Sequence, residues 1–344
     1  MSIVLITGSS GLVGSESVNF FSKKGFDVIG VDNNLRKFFF GNEASTNKIK
    51  NDLLKNNKQF KSYNTDIRNY DNLEKIYKKY KKNISLVIHC AAQPSHDYGK
   101  KFPILDFNVN ATGTLNLLEL TKKYCPTAPF IFMSTNKVYG DNPNKLKIIE
   151  KKKRWELKED DRYFKGIDEN FSIDNCTHSF FGVSKTYADL IVQEYGKNVG
   201  LKTVCFRGGC LTGPNHNGAK LHGFLSYLVK VSMLKKRYSL IGYKGKQVRD
   251  NLHSYDLVNS FWEFYKKPTR GEIYNMGGGR YSNCSIIEAL DLVEEIAKIS
   301  IKRNILKIPR VGDHIWYISS LSKFKKHYPN WNQKYNTKRI IEEL

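Results

Sequence analysis

The sequence has no long apolar run, few cysteines and a shortage of acidic residues. No hydrophobic stretch approaches the roughly 20 residues that a helix needs to span a bilayer, so no membrane-spanning helix is predicted. The apolar start, Ile3–Ile6, leads straight into a glycine-rich turn without a basic leader, and predicts a strand rather than a signal peptide. The six cysteines have no paired spacing, which argues against a disulfide framework or a zinc site and favours reduced thiols in a cytoplasmic protein.

The shortage of acidic residues leaves a formal net charge of +23, from 56 Lys and Arg against 33 Asp and Glu. Such a charge suggests nucleic acid as a partner, but the lysines are spread along the whole chain and are accompanied by many asparagines. This distribution is typical of solvated surface positions. We therefore expect no nucleic-acid partner, and expect the basic surface to attract anionic small substrates.

Short β-rich runs alternate with helical patterns over the first two-thirds of the chain. The strand-like runs are Ile3–Thr7, Asp27–Val31, Leu86–Cys90, Phe130–Met133 and Thr203–Phe206. Amphipathic stretches such as Asn72–Tyr80 and Leu105–Tyr124 lie between them. This alternation implies βαβ units and predicts an α/β fold with a Rossmann-like, doubly wound parallel sheet.

The alternation is broken in two places. Residues 141–172 form a charged, helix-poor insertion, which we expect to be a solvated surface loop, with a substrate lid as the alternative. After Gly208 the pattern becomes irregular and glycine-rich, which predicts a smaller C-terminal substrate-binding domain at the carboxyl edge of the sheet. The predicted sheet domain comprises residues 1–207 and about 247–260, and the smaller domain comprises residues 208–246 and 261–344.

A glycine-rich turn, Thr7–Gly14 (TGSSGLVG), follows the first predicted strand and opens a helix. Glycine permits the tight turn and a close approach of the backbone to a pyrophosphate, and the helix N-terminus offers unpaired N–H groups to phosphates. Asp32 ends the second predicted strand, where a carboxylate accepts both ribose hydroxyls of NAD and would repel the 2′-phosphate of NADP. We therefore favour NAD over NADP, although Arg36 nearby would weaken that preference.

Two further segments, Ser134–Gly140 (STNKVYG) and His178–Lys185 (HSFFGVSK), complete a pattern. With the glycine turn, they resemble the catalytic core of the extended short-chain dehydrogenase/reductase superfamily, in which Thr or Ser works with Tyr-x-x-x-Lys. The resemblance implies that Thr135 hydrogen-bonds the reacting hydroxyl and that Lys185 binds the nicotinamide ribose. The tyrosine position is occupied by Phe181, whose side chain has neither donor nor acceptor and cannot do acid–base work.

The same resemblance implies a set of cofactor contacts. Asp66 and Ile67 would border the adenine, and His89–Gln93 would pass under the middle of the cofactor. The Asn110 side chain would hold together the backbone at the strand ends near the site. Taken alone, Asp66 would be a helix cap before Tyr70. The residues expected to bind NAD are Gly8, Gly11, Leu12, Gly14, Asp32, Asn33, Asp66, Ile67, Ala91, Ala92, Gln93, Asn110 and Lys185.

Phe181 admits three explanations: a natural replacement with another group taking the proton, a Tyr-to-Phe variant made to trap a ligand, or a catalytically silent relative. We favour natural replacement, because the flanking residues form a coherent apolar context. The candidate substitutes are Cys90, His96, Cys210, His216 and His222. Each of them could instead have a purely structural role. Cys210 is the first candidate, since it lies three residues after Arg207, in a segment where the superfamily places substrate-contacting side chains.

Asn136 and Lys137 follow Thr135 at positions where the 4,6-dehydratases of the superfamily carry Asp and Glu. An amide and a cation cannot act as that acid and base, so we do not expect dehydration. Instead, the segment Ser134–Asp141 is most similar to the CDP-paratose 2-epimerase (CDP-tyvelose epimerase) group. The similarity extends over nearly the full chain, through Gly245–Asp250, Tyr274–Gly279 and Gly312–Asp313.

This resemblance implies an NAD-dependent epimerase that oxidises a sugar carbon of a CDP-hexose to a keto-sugar and returns the hydride to its other face. It also implies a role in making surface-polysaccharide precursors, and a homodimer. Arg249 would bind the diphosphate at two points, the alternative being an ion pair with Asp250 or Asp256. The expected substrate-binding residues are Asn136, Lys137, Arg207, Arg249 and Asp313. Another sugar-nucleotide oxidoreductase or decarboxylase, and a silent NAD- and sugar-nucleotide-binding protein, remain as alternatives.

Overall fold

The structure, a computed structural model, describes residues 2–216, 223–306 and 312–344. Its strands are β1 (Ile3–Thr7), β2 (Asp27–Val31), β3 (Phe60–Tyr63), β4 (Ile84–His89), β5 (Phe130–Thr135), β6 (Ile148–Glu150), β7 (Trp155–Leu157), β8 (Thr203–Gly208), β9 (Cys210–Thr212), β10 (Tyr238–Ile241), β11 (Val248–His253), β12 (Glu272–Met276), β13 (Asn283–Ser285), β14 (Arg303–Leu306) and β15 (Trp316–Tyr317). Its α-helices are α1 (Leu12–Lys23), α2 (Leu35–Phe40), α3 (Asn47–Asn56), α4 (Tyr70–Tyr80), α5 (His96–Lys101), α6 (Pro103–Phe107), α7 (Gly113–Tyr124), α8 (Ser179–Lys197), α9 (Phe224–Met233), α10 (Ser254–Lys266), α11 (Ile286–Ala297), α12 (Ser322–His327) and α13 (Thr337–Glu343).

The chain divides into two compact units. The first comprises Met1–Thr135, Phe180–Arg207 and Leu257–Tyr274, and the second comprises Asn136–Ser179, Gly208–Asp256 and Asn275–Leu344. The division at Arg207 falls where the sequence placed it. In contrast, residues 136–179 and 247–256 belong to the second unit and residues 261–274 to the first, which differs from the predicted boundaries. The binding roles of the two domains stay predictions.

The first unit is built on a seven-stranded parallel sheet in the order β12-β8-β5-β4-β1-β2-β3. The predicted α/β, doubly wound fold is therefore confirmed. Strand β1 is buried along its whole length, as expected for a central parallel strand with helices on both faces. The chain order reverses between β1 and β4, and the carboxyl edge of the sheet at such a reversal is where open α/β sheets bind ligands.

The predicted helix over Leu105–Tyr124 is interrupted. Helix α6 continues into a π-helical turn at Asn108–Thr112 before α7 begins, and Asn110 lies inside that turn. π-helical turns of this kind occur frequently at functional sites. Here the turn places the Asn110 amide among the buried polar groups described below.

The second unit contains small sheets and helices. Strand β11 pairs with β9, β13 and β15, β10 pairs with β14, and β6 pairs with β7 in a hairpin. Helices α9, α11 and α13 share a core in which Leu225, Leu290 and Ile340 are completely buried. The helical segment expected near residues 285–298 is α11, and Ser285 begins it with a capping box that includes Glu288.

The insertion at residues 141–172 was predicted to be a solvated loop, and this prediction holds only in part, because the segment contains the hairpin of β6 and β7 and several buried residues. Its Leu157 packs in a core with Trp316 of the same unit. Glu156 is also buried, and accepts hydrogen bonds from Trp316 Nε1 at 2.7 Å and from Arg280 at 2.9 Å. The buried part of the insertion, around Glu156 and Leu157, therefore packs inside the second unit, whereas Lys151–Lys153 and Lys158–Asp160 are exposed.

The cysteine side chains and the apolar helices bear on two of the sequence predictions. The six cysteines are free thiols, in agreement with the absence of paired spacing. Over residues 2–216, 223–306 and 312–344, the longest apolar helices fall short of what a membrane crossing requires.

Candidate active site

The glycine-rich turn forms a cradle at the carboxyl end of β1. Gly8 has φ +67°, and a Cβ there would lie 2.7 Å from the backbone nitrogen of Ala91. A Cβ on Gly14 would lie 2.0 Å from the carbonyl oxygen of Gly8. Helix α1 begins after Gly11, which has no side chain to cap the first-turn N–H groups. The turn therefore accepts only glycine at positions 8 and 14, and its helix N-terminus has the free N–H groups that could bind a dinucleotide phosphate.

Asp32 lies immediately after β2 and is held by backbone donors. Its carboxylate accepts hydrogen bonds from Ser10 N at 2.9 Å and from Asn34 N at 2.8 Å. Burial raises the pKa of Asp32, and these two backbone donors counteract that rise. Because a carboxylate offers about four acceptor positions, two remain for ribose hydroxyls. The glycine cradle and this carboxylate together fit NAD.

Asp66 does not cap a helix, so that alternative is wrong. It accepts Asn33 Nδ2 at 2.8 Å and two guanidinium N–H groups of Arg68, at 2.6 and 2.9 Å. Burial opposes ionisation of Asp66, but the hydrogen bonds from Arg68 outweigh it and lower the pKa of the carboxyl. Asn69 is the residue that caps α4. Asn33 and Asp66 are thus brought together, as their shared assignment to the cofactor requires.

His89, at the end of β4, joins three elements. Its Nε2 lies 2.9 Å from Thr114 Oγ1, and its Nδ1 lies 2.7 Å from Thr7 Oγ1. Thr114 donates its own proton to the carbonyl oxygen of Asn110, so His89 Nε2 is the donor and Nδ1 the acceptor. Burial, assisted by the charge of Lys185, lowers the pKa of His89 well below its ordinary value. His89 is therefore neutral, and its two hydrogen bonds connect β4 to β1 and to α7.

A buried polar network lies behind the loop that carries Ala91 and Ala92. The Asn110 side chain accepts from Gln93 N at 2.9 Å and donates to Ser184 Oγ at 3.0 Å. Asp106 accepts from Gln93 Nε2 and from Ser184 Oγ. Burial raises the pKa of Asp106, and the hydrogen bond from Ser184 is the strongest influence against that rise. The network ties the loop after β4 to helix α8, and neither Asp106 nor Ser184 was identified from the sequence.

Lys185 lies on α8 and is buried. Its Nζ donates to the carbonyl oxygen of Met133 at 2.7 Å and lies 4.0 Å above the ring of Phe132. Burial lowers the pKa of Lys185 to about 8, although the nearby Asp189 carboxylate opposes that shift. Thr135 ends the same strand two residues after Met133. Lys185 and Thr135 therefore belong to the same end of β5, as the resemblance implies.

Phe181 lies one helical turn before Lys185 and is buried. Its ring meets the ring of His96 edge to face, with the centroids 5.1 Å apart and the planes at 73°. His96 is the first residue of α5. One of the five candidate substitutes for the missing tyrosine is therefore in contact with the residue that replaces it.

The other candidates have different surroundings. Burial raises the pKa of the Cys90 thiol to about 12. Burial likewise raises the pKa of the Cys210 thiol to about 11, against the influence of the neighbouring Arg249 cation. His216 belongs to the second unit, where its ring packs against Gly223. His222 lies outside the described residues.

Arg207 has a structural partner. Its guanidinium donates to both carboxylate oxygens of Asp189, at 2.8 and 3.1 Å, and both side chains are almost fully buried. Ser134 and Gln193 also donate to Asp189. This two-point ion pair joins β8 to α8. It gives the buried guanidinium of Arg207 a structural role that needs no ligand. The predicted contact of Arg207 with substrate stays a prediction.

The second unit gathers several of the expected substrate-binding residues. Arg249 forms an ion pair with Asp313 and donates to the carbonyl oxygen of Val248 at 2.7 Å. Lys137 Nζ donates to the carbonyl oxygen of Gly312 at 2.8 Å. The neighbouring Asn136 is also buried. Two cations are thus concentrated beside the loop that contains Asp313.

The alternative ion pairs for Arg249, with Asp250 or Asp256, are wrong. Asp250 accepts from the backbone N–H groups of Ser319, at 2.8 Å, and Gly279, at 3.2 Å. Asp256 accepts from backbone N–H groups of the segment 334–335 at 3.0 Å. Both carboxylates therefore fix loops of the second unit.

Sequence comparison connects nearly the whole chain with a single family. The profile of the NAD dependent epimerase/dehydratase family matches residues 4–277. CDP-paratose 2-epimerase of Salmonella typhi is 28% identical over 348 residues, covering 99% of this chain and 97% of that protein. A putative UDP-glucose 4-epimerase of Methanocaldococcus jannaschii is 27% identical over 292 residues, covering 85% and 81%.

Solved structures share the fold. UDP-glucuronic acid 4-epimerase from Bacillus cereus superimposes with a TM-score of 0.79 at 23% identity, over 99% of this chain and 97% of that one. UDP-glucose 4-epimerase from Thermus thermophilus, solved with NAD, gives a TM-score of 0.79 at 23% identity over the same fractions. The dependence of the matching family on NAD confirms the predicted cofactor.

Proposed function

We propose that this chain, which belongs to the NAD-dependent epimerase/dehydratase family, is an epimerase of a nucleotide-activated sugar. The observation that carries the proposal is the position of Lys185, buried on α8 and hydrogen-bonded to strand β5 close to Thr135. The first unit, with its glycine cradle and Asp32, is the proposed NAD-binding domain. The second unit, with Arg249 and Lys137, is the proposed substrate-binding domain.

Each residue has a definite role in the proposed reaction. Bound NAD supplies reversible hydride transfer, which lets a sugar carbon pass through a keto-sugar with no net consumption of cofactor. Asp32 accepts the ribose hydroxyls, and the N-terminus of α1 binds the pyrophosphate. Lys185 binds the nicotinamide ribose and places a positive charge near the reacting oxygen. Thr135 donates a hydrogen bond to that oxygen and so holds the sugar hydroxyl in position.

A CDP-hexose is the proposed substrate. The full-length similarity to CDP-paratose 2-epimerase supports this choice, at 28% identity. The cationic Arg249 and Lys137 suit a diphosphate, and the guanidinium can bind two phosphate oxygens at once. Asn136 and Lys137, an amide and a cation, do not supply the acid and base of a dehydratase. Production of surface-polysaccharide precursors in the cytoplasm would follow from this substrate.

A silent binding protein is the second candidate, and Phe181 is the observation that favours it. A benzyl group cannot accept the proton of a sugar hydroxyl. Against this candidate, Lys185 and Thr135 remain at the positions that hydride transfer requires, and a protein that only binds has no evident need of both.

The test is incubation of the NAD-loaded protein with CDP-hexoses and, separately, UDP-hexoses, followed by proton NMR of the sugar and absorbance of NADH. We expect a new sugar epimer with no net NADH, and no reaction with Lys185→Met. Net NADH would instead indicate a sugar-nucleotide dehydrogenase or decarboxylase. Tight binding with no product from any sugar would support the silent protein.

A homodimer is also proposed. Helix α8 exposes apolar side chains at three- and four-residue spacing, which places them on one helical face. Phe107 of α6 extends that face, with its ring 5.7 Å from the ring of Tyr187. The exposed apolar residues of α8 are Phe180, Val183, Tyr187 and Leu190. Contiguous exposed apolar surface marks interaction sites, and a second copy of α8 would bury this one.

A further inference from the structure

We propose that His96 is the acid–base residue of this active site and takes the proton that a tyrosine at position 181 would otherwise take. The inference rests on the proposed epimerase function. Its starting observation is the edge-to-face contact between the rings of His96 and Phe181, with centroids 5.1 Å apart. An imidazole therefore stands beside the position where the superfamily carries its phenol.

The contact follows from a close approach of two helices. A Cβ on Gly99 of α5 would lie 3.0 Å from the backbone nitrogen of Phe181 and 3.1 Å from Asp106 Oδ1. The backbone of α5 therefore lies directly against the first turn of α8. His96 precedes Gly99 by three residues and so shares its helical face. The absence of a side chain at residue 99 is what lets the imidazole reach Phe181.

The segment before His96 is held rigidly. Ser95 N donates to Gln93 Oε1 at 2.6 Å, and Gln93 Nε2 donates back to the carbonyl oxygen of Ser95 at 2.8 Å. Gln93 also donates to Asp106, which accepts from Ser184, the residue before Lys185. One buried network therefore fixes His96 and Lys185 relative to each other. Such support is required of a group that exchanges protons with a bound substrate.

Imidazole is suited to the missing role because its ordinary pKa lies near neutrality. As the sugar is oxidised, the hydroxyl proton passes to the neutral imidazole of His96 while the electron pair of the C–H bond leaves as hydride to NAD. On the return step the imidazolium gives the proton back to the carbonyl oxygen, and the hydride returns to the other face of the carbon. Protons and electrons are both conserved over the cycle.

The elements packed around His96 carry charged groups of both signs, Lys185 on α8, Asp106 on α6 and Asp97 on α5 itself. Positive charge disfavours an imidazolium and negative charge favours it. Cys210, the first candidate from the sequence, is a weaker choice, because a thiol with a pKa of about 11 is almost entirely protonated at neutral pH. An imidazole of ordinary pKa is a much stronger candidate for a base at neutral pH.

The test compares His96→Gln with a matched control, His327→Gln on α12. We expect His96→Gln to lower kcat by roughly 10²- to 10⁴-fold, with NAD binding and Tm unchanged, and His327→Gln to retain wild-type kcat. The decisive variant is His96→Gln combined with Phe181→Tyr. A tyrosine at 181 should recover roughly tenfold or more of the lost rate, because it restores a proton-accepting group at the same place.

A readout independent of turnover comes from NMR of protein labelled with ¹⁵N-histidine. The imidazole signal missing from His96→Gln should shift when a CDP-hexose is added to the NAD-loaded protein, while the His327 signal should not. Wild-type kcat in His96→Gln, no recovery by Phe181→Tyr, or an imidazole signal indifferent to the sugar would each overturn the assignment of His96. Absence of turnover in the unaltered chain would instead contradict the proposed function.

Discussion

Lys185 donates a hydrogen bond from Nζ to the carbonyl oxygen of Met133 at 2.7 Å and so anchors helix α8 to strand β5. The ammonium is buried, which lowers its pKa to about 8. A lysine in this position can therefore change its charge close to physiological pH. Its positive charge is available to the reacting oxygen only below that value.

The first prediction concerns this titration. Activity should fall as pH rises through about 8, because the neutral amine no longer stabilises negative charge on the sugar oxygen. A loss of folding stability caused by the titration of Lys185 does not explain such a fall in activity. The unfolded chain binds more protons between pH 8 and its ordinary pKa of 10.5, so this group makes folding more favourable as pH rises through that window. The measurement that checks this prediction is the profile of kcat against pH.

Lys185→Arg provides the matching variant, because guanidinium keeps its charge throughout this range. Its activity, even if low, should not decline near pH 8. The control is Lys197→Arg at the exposed end of α8, which should keep the wild-type profile. A wild-type kcat that is flat through pH 8 would contradict the role of Lys185.

The second prediction concerns the glycine cradle. Gly14→Ala places a methyl group 2.0 Å from the carbonyl oxygen of Gly8, so the turn must deform. Overpacking of this kind costs about 1–3 kcal/mol of folding free energy, and should abolish NAD binding measured by isothermal titration calorimetry. Gly11→Ala is a milder variant for comparison, because its Cβ would lie 3.3 Å from the same oxygen. This variant should weaken NAD binding less than Gly14→Ala does. Equal losses in the two variants would argue against the cradle.

The sequence predicted the central sheet well for a local reason. The runs Ile3–Thr7 and Asp27–Val31 are short, apolar and bounded by turn residues, and the structure has strands with these same bounds. The edge strand Phe60–Tyr63 was not predicted, because it has only four residues and only Phe60 among them is buried. The buried part of the insertion was misjudged, because a sequence shows the charge of Glu156 but not its ion pair with Arg280.

Residues of the candidate site could be predicted from the sequence where they belong to a recognisable sequence motif. Gly14 and Asp32 were identified from the glycine motif and its spacing, and Lys185 from the resemblance to the short-chain dehydrogenase/reductase superfamily. Asp106 has no motif around it, and its importance comes from contacts with Gln93 and Ser184, residues that are distant in sequence. Long-range pairing of this kind depends on how α6 packs against α8, which no local pattern specifies.

The third prediction concerns substrate affinity. Arg249→Gln should raise KM for the CDP-hexose by roughly tenfold to a hundredfold with little change in kcat, because a charge-assisted hydrogen bond contributes about 1.5–3 kcal/mol. Arg237→Gln, at an exposed arginine of the same unit, controls for loss of charge. If both variants raise KM equally, the effect is long-range electrostatics. That result would contradict a direct role for Arg249.

The fourth prediction concerns the dimer. Val183→Glu places a carboxylate in the apolar face of α8, and burying it against a second copy would be costly. Light scattering should therefore find a dimer for the wild type and a monomer for the variant. Val199→Glu, at an exposed apolar residue after α8, should remain dimeric. A monomeric wild type would contradict the proposed interface.

The origin of the hydrogen at the epimerised carbon distinguishes hydride return from proton exchange with solvent. The reaction should be run in D₂O with the CDP-hexose that is turned over, and the product examined by proton NMR and mass spectrometry. Because the hydride is held within the protein and returned to the same carbon, we predict that the product carries no deuterium there. Deuterium at the epimerised carbon would show that the hydrogen was lost to solvent as a proton, and would contradict the oxidation and hydride return proposed for this chain.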